Sequence, residues 1–136
     1  MNPPIKQITF NSVLIIENDE VEIFIAKRVI QAVQFAKDII VRSTTKDAAD
    51  HLKMQTGETL PEIIFLDFKI IDREGLPFLD EFSRLYELVG KKCKIVLLMN
   101  EDPNDYKISG KLSNNSLKYS LIQKPLTLEA LRKFDV

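Results

Sequence analysis

The sequence predicts an α/β fold: a five-stranded parallel sheet with helices on both faces. Three observations carry that prediction. Apolar runs of three to five residues alternate along the chain with longer segments of helical period. The runs are continuous rather than alternating in polarity, the pattern of strands covered on both faces. Acidic residues or a lysine stand directly after three of them, at the strand ends where open α/β sheets place their sites.

Val13-Leu14-Ile15-Ile16 is the first predicted strand. Val21, Phe24, Ile25, Val29 and Val33 then recur at helical spacing as one apolar stripe. Asp19 with Glu22 three residues on has the form of a capping box at that helix's start. Ile39-Ile40-Val41 is strand two, and Lys46 to Gln55, after Thr44-Thr45, a weaker helix. Gly57 and Pro61 punctuate the turn into strand three, Ile63 to Leu66. A third helix carries Phe78, Leu79, Phe82, Leu85, Tyr86 and Val89 and stops at Gly90. Strand four is Ile95 to Met99. Asp102-Pro103 reads as an N-cap and first helical residue, opening a short helix with Tyr106. Lys111 to Ser116 leads into strand five, Tyr119 to Gln123, and a last short helix runs from Thr127 to Phe134.

The pattern is β–α repeated five times. Right-handed crossovers leave few topologies, and the flavodoxin-like order 2-1-3-4-5 is the natural one for five strands. It places strands one, three and five so that Glu17, Asp67 and Lys124 approach one another. Residues 1–11 read as an N-terminal extension and 12–136 as a single domain, an ordinary size for one core.

Composition narrows the function classes. An apolar fraction of 45% with 29% charged residues is that of a globular chain. Nineteen basic against twenty acidic side chains leave a net charge of −1, so no global field favours nucleic acid or an anionic membrane. The single cysteine, Cys93, excludes an intrachain disulfide framework and fits a reducing cytoplasm. No apolar stretch approaches the ~20 residues that span a bilayer, and Met1-Asn2-Pro3-Pro4 lacks the form of a signal peptide. A cytoplasmic protein is expected.

Carboxylates gathered at one sheet edge repel each other unless a cation sits between them. Glu17-Asn18-Asp19 after the first strand, Asp67 after the third and Lys124-Pro125 after the fifth therefore read as a metal-assisted phosphoryl site. The first loop is acidic and not glycine-rich, which argues against a nucleotide or flavin phosphate there. His51 lies alone on the second helix and reads as a surface residue. Cys93 has no neighbouring histidine to make it a nucleophile.

The ordered set Ile16-Glu17-Asn18-Asp19, Leu66-Asp67, Gly75 and Lys124-Pro125 resembles the receiver domain of two-component response regulators, over about residues 12 to 134. Phe78 to Phe82 and the Asp102-Pro103-Asn104-Asp105 loop resemble a single-domain subgroup of that family. The resemblance implies a phosphorelay signalling module rather than an enzyme. Asp67 would be the phosphoacceptor. Glu17, Asn18, Asp67 and the backbone carbonyl of Lys69 would hold Mg²⁺. Lys124 would pair with the phosphoryl oxygens, and the Lys124–Pro125 peptide would be cis. The implied partners are a histidine kinase or phosphotransfer protein and a downstream protein target, docked on the face of strands four and five. Neither nucleic acid nor membrane is implied.

Three departures from the family's pattern bear on how the site works. The second acidic position is Asn18, whose amide oxygen ligates without charge, leaving two carboxylates where the common pattern has three. Asp19 is a candidate substitute, its other reading being the helix cap. The hydroxyl residue of the family's fourth strand end is replaced by Leu98, Met99 or Asn100, and the switch aromatic by Leu121, with Tyr119 two residues earlier. The second functional reading is therefore a pseudo-receiver, an interaction module that works without phosphorylation.

Overall fold

The computed structural model describes residues 10–55, 58–70, 93–100 and 119–133. The third helix expected around Phe78 to Val89, the helix after Asp102, the stretch Lys111 to Ser116, Gly75 and residues 1–9 lie outside the described residues. Within them run β1 (Phe10–Ile16), α1 (Glu20–Ala32), β2 (Ala36–Arg42), α2 (Thr45–Lys53), β3 (Ile63–Asp67), the short α3 (Phe68–Ile70), β4 (Lys94–Met99), β5 (Tyr119–Gln123) and α4 (Leu128–Arg132).

The five strands form one sheet in the order β2-β1-β3-β4-β5, every neighbouring pair parallel, so the expected topology is the observed one. Successive strand residues face opposite sides, and each side has its own core. Leu14, Ile16, Ile64, Leu66, Ile95 and Leu97 meet Ala48, Ala49 and Leu52 of α2 on one face. Val13, Ile15, Ile63, Phe65, Val96 and Leu98 meet Ala26, Ile30 and Val33 from α1 and its C-cap, with Leu131 of α4, on the other. Each fully buried Leu, Ile or Phe is worth about 1.5–3 kcal/mol of transfer free energy. The central runs Val13 to Ile16, Ile63 to Leu66 and Ile95 to Met99 have no wet face, which is why they read as unbroken apolar runs, whereas the edge strands β2 and β5 are partly exposed.

Both outer strands of the first crossover begin earlier than the apolar runs suggest. Phe10 packs its ring 4.9 Å from that of Phe35 and pairs with Ala36, so β1 and β2 extend together toward their N-terminal ends. Gln34 turns the chain between α1 and β2 with φ of 53°, the left-handed region that asparagine and glycine enter more easily.

The face of α1 corrects the predicted stripe. Ala26, Ile30 and Val33, spaced i, i+4, i+7, turn to the sheet, with Val29 half-buried beside them. Val21 and Phe24 lie on the opposite side, 65% and 63% exposed, and the Arg28 guanidinium stands 6.0 Å from the Phe24 ring centre. The helix's N-cap is as expected: an Asp19 carboxylate oxygen accepts from the backbone N–H of Val21 at 2.9 Å and of Glu22 at 3.2 Å. Thr44 and Thr127 cap α2 and α4 in the same way, through Asp47 and Ala130.

His51 also departs from expectation. It is half-buried, with Nδ1 3.4 Å from Arg42 Nη2 and a buried Nε2 that has no hydrogen-bond partner among the described residues. Burial, and after it the Arg42 charge, lower its pKa below the ordinary histidine value. No described helix is long and apolar enough to cross a membrane.

Candidate functional site

Strand register sets the site. Ile16 pairs with Leu66, so Glu17 and Asp67, one residue further on each strand, stand level at the carboxyl edge of adjacent strands. Asp67 in turn pairs with Leu98 on β4, and Met99 with Gln123 on β5, which brings Lys124 to the same edge. The backbone N–H of Lys124 donates to the Met99 carbonyl at 2.7 Å, fixing where the lysine leaves the sheet. The Lys124–Pro125 peptide is cis, as the resemblance implies. β4 stands between β5 and β3, and two strand spacings come to about 10 Å. A long side chain is needed to bridge that distance, and lysine has one.

Lys124 Nζ lies 2.7 Å from Glu17 Oε1 and 3.0 Å from Asp67 Oδ1. All three side chains are withdrawn from solvent, at 6%, 4% and 6% exposure for Lys124, Glu17 and Asp67. Residues far apart along the chain thus converge in one small pocket. The backbone N–H groups of neighbouring residues complete the carboxylates: Asn18 N–H donates to Glu17 Oε2 at 3.1 Å and Lys69 N–H to Asp67 Oδ1 at 3.3 Å.

Among the described residues the pocket formally holds two negative charges against one positive. Burial raises the Glu17 carboxyl above the ordinary carboxylate range; the Lys124 hydrogen bond pulls it back only in part, and Asp67 pushes it further up. Burial works to lower Lys124, but hydrogen bonds and charge from both acids outweigh it and raise its pKa. The ammonium is firmly held while one acid is left short of positive charge.

The remaining candidates fall into two groups. Asn18 and Lys69 sit in the loops directly after β1 and β3 with exposed side chains. Leu98 and Met99 are buried in the core, whereas Asn100 is exposed and its carbonyl accepts from Gln123 Nε2 at 3.2 Å. Leu121 packs half-buried against the α2 side of the core. Asp19, the alternative acid, is occupied as the α1 cap. Cys93 is buried, donates from Sγ to the Pro61 carbonyl, and is pushed up to about 12 by burial and then by the Glu62 charge, which leaves it an unreactive thiol.

What the residue pattern did not disclose is that Lys124 joins both acids and approaches Glu17 more closely than Asp67. The signal was present in Glu17 itself: one methylene longer than aspartate, its carboxylate extends further from β1 toward the lysine. Among the described residues no group of three or more His, Cys, Asp or Glu side chains gathers as a ready metal cluster. The donor chemistry of the pocket nonetheless suits Mg²⁺, which prefers a few hard carboxylate and carbonyl oxygens and retains water.

A sheet in this strand order is the fold found in solved response regulators and receiver proteins. A two-component response regulator from Legionella pneumophila matches with 27% identity over 90% of this chain and 93% of that one, at a TM-score of 0.69. A two-component response regulator from Cytophaga hutchinsonii matches with 24% identity, 90% and 91% coverage and a TM-score of 0.70. A response regulator receiver protein from Dyadobacter fermentans DSM 18053 matches with 21% identity, 90% and 92% coverage and a TM-score of 0.72. No protein-family model and no curated protein matches the sequence.

Proposed function

We propose that residues 12 to 136 form a phosphoacceptor receiver of a two-component phosphorelay, with Asp67 as the acceptor. The observation that carries this reading is the Asp67 carboxylate at the end of a central strand, within 3.0 Å of a buried lysine ammonium. A carboxylate fixed on a strand end suits in-line attack, since phosphoryl transfer needs positioning and charge neutralisation more than covalent assistance from the protein. An Asp67 oxygen attacks phosphorus as the P–N bond of a donor phosphohistidine breaks; the imidazole leaves, and an acyl phosphate remains on Asp67. Lys124 then turns from balancing carboxylates to pairing with the phosphoryl oxygens, a point-charge contact that an ammonium on a flexible stem makes readily.

Glu17 and Asp67, with the Asn18 amide oxygen and the Lys69 carbonyl, are the groups that would hold Mg²⁺. When bound, the ion would supply positive charge against the phosphoryl oxygens. In this reading the chain is a signalling module rather than an enzyme, served by a histidine kinase or phosphotransfer protein. Its output is a protein target met on the β4–β5 side, through a shift in population between two states. Neither nucleic acid nor a membrane has a part in it, and the expected location is the cytoplasm.

The test is incubation with Mg²⁺ and acetyl phosphate followed by intact-mass measurement. One phosphoryl adduct per chain, lost in Asp67→Ala, is the expected result. The absence of any hydroxyl at Leu98, Met99 and Asn100, and Leu121 in place of an aromatic, favour the second reading, a phosphorylation-independent pseudo-receiver. A chain that stays unmodified yet still captures its kinase would establish that alternative.

A further inference from the structure

Strand β2 ends the sheet order, and among the described residues no strand pairs with its outer side. Along a parallel strand the N–H and C=O of one residue point to one neighbour, and those of the next residue point away from it. The Arg42 carbonyl accepts from Glu17 N–H at 3.1 Å, so Arg42, and with it Ile40 and Asp38, is bonded toward β1. The backbone groups of Ile39 and Val41 therefore face outward. The Val41 carbonyl agrees with that phase: the Arg42 guanidinium donates to it at 2.7 Å while standing 3.4 Å from His51 Nδ1. Ile39, Ile40 and Val41 are half-buried and Asp38 is exposed. An outer strand with three β-branched apolar residues and outward backbone groups is a template for another strand unless it is covered. Among the described residues, the cover is the Arg42 side chain on one carbonyl.

We propose that two copies of this chain join through their β2 edges, antiparallel and centred on Ile40, so that two five-stranded sheets become one. Charge and hydrogen-bond phase select that register together. A two-fold axis must set outward groups against outward groups, which near the middle of the strand leaves Ile39, Ile40 and Val41 as centres. Centred on Ile40, Ile39 stands opposite Val41 of the second copy and exchanges both backbone bonds with it, twice over by symmetry. Asp38 then stands opposite Arg42 of the other copy, on the α2 side, in the closer kind of antiparallel pair with about 4.5 Å between Cα atoms. Centred on Ile39, Asp38 meets Ile40 and Arg42 meets Ala36. Centred on Val41, Arg42 meets Ile40 and Asp38 meets Thr44. Neither alternative aligns opposite charges. On pairing, the Arg42 guanidinium yields the Val41 carbonyl to the Ile39 N–H of the other copy and turns to that copy's Asp38. Arg42 thus caps the lone edge and anchors the joined one. The contact is isologous and closes at two chains. It does not depend on the reading of Asp67.

Sedimentation equilibrium of the wild-type chain, loaded between about 10 µM and about 1 mM, should show the mass rising from one chain toward two. Asp38→Arg sets like charges opposite each other on both sides of the axis, as does Arg42→Asp, and each should weaken the dimer at least about tenfold. An equimolar mixture of the two variants restores opposite charges at both positions and should dimerise as the wild type does. The double variant Asp38→Arg with Arg42→Asp should do the same on its own. A wild-type chain that keeps the mass of one copy throughout overturns the proposal. So does an Asp38→Arg dimer as tight as that of the wild type, which puts the contact on another surface. Weakened single variants whose mixture stays monomeric overturn it as well, because the register then fails. If Arg42→Asp does not fold, Asp38→Arg still decides, since Asp38 is exposed and its replacement leaves the core untouched.

Discussion

Removing the Lys124 charge should be one of the most damaging single changes available to the described part of this fold. In Lys124→Gln the two acids keep their buried positions, at 4% and 6% exposure, and lose their common counter-charge. At an effective dielectric of about 20, each contact near 3 Å represents about 6 kcal/mol of gross attraction, most of it offset by the cost of drying the charges. Deleting one partner of a buried pair costs about 3–5 kcal/mol net, because the remaining charge stays buried and unpaired. For a chain of this size each kcal/mol lowers Tm by about 3–5 °C, so a fall of roughly 10–25 °C is expected. The assay is urea and thermal unfolding in chelator near pH 7, followed by circular dichroism. Lys124→Gln combined with Asp67→Asn should recover about 1–3 kcal/mol of the loss, since the pair of like charges is then gone. A loss below about 1 kcal/mol for the single change, the value of an exposed ion pair, would refute the sealed three-residue pocket.

Three further outcomes follow from the structure. Asp19→Ala should cost about 1 kcal/mol of stability as a lost N-cap and leave Mg²⁺ affinity unchanged; weaker metal binding in calorimetry would show Asp19 to be a ligand instead. Cys93 has its folded pKa raised to about 12 from an ordinary 9.0, so the unfolded chain loses the thiol proton first. Stability should then fall as pH rises above about 9, approaching about 1.4 kcal/mol per pH unit from this group, and Cys93→Ala should remove that component from unfolding curves measured across the range. Phe24→Ala should cost under about 1 kcal/mol, whereas Ile30→Ala should cost about 2–5 kcal/mol, and comparable losses in urea titrations would mean that α1 is rotated from the face described.

Much of this architecture is legible in the residues, for a reason that also explains where reading stops. A strand sealed on both faces must be apolar throughout, so Val13 to Ile16, Ile63 to Leu66 and Ile95 to Met99 declare themselves, and crossover handedness then leaves few ways to order them. Helix α1 is less transparent. Its first turns carry apolar residues on both sides, and Val21 and Phe24 are larger than Ala26, yet the smaller side chain meets the sheet because Ile30 and Val33 continue its face. Periodicity reports that a helix has apolar positions, not which of two competing sets faces the core. His51 was opaque for a different reason: Arg42, its neighbour, belongs to β2, and nothing local to α2 announces that contact. At the site, strand order and register bring Glu17, Asp67 and Lys124 within reach, but the sharing of one ammonium by both acids is decided by side-chain length and burial. Those are properties of the assembled edge, and no single motif contains them.

The chain order of the three site residues has a consequence for how the protein comes off the ribosome. Glu17 and Asp67 emerge early, on strands that can pair as soon as both are made, while the positive partner arrives at the far end of the last strand. Until β5 docks against β4, a nascent sheet would have to bury two acids with nothing to offset them, so this edge is better left wet and loosely formed. Completion of the sheet and closing of the pocket are thereby tied into one late event. A ribosome-bound chain halted before residue 119 should carry its carboxylates open to water, and release of the remaining segment should seal them.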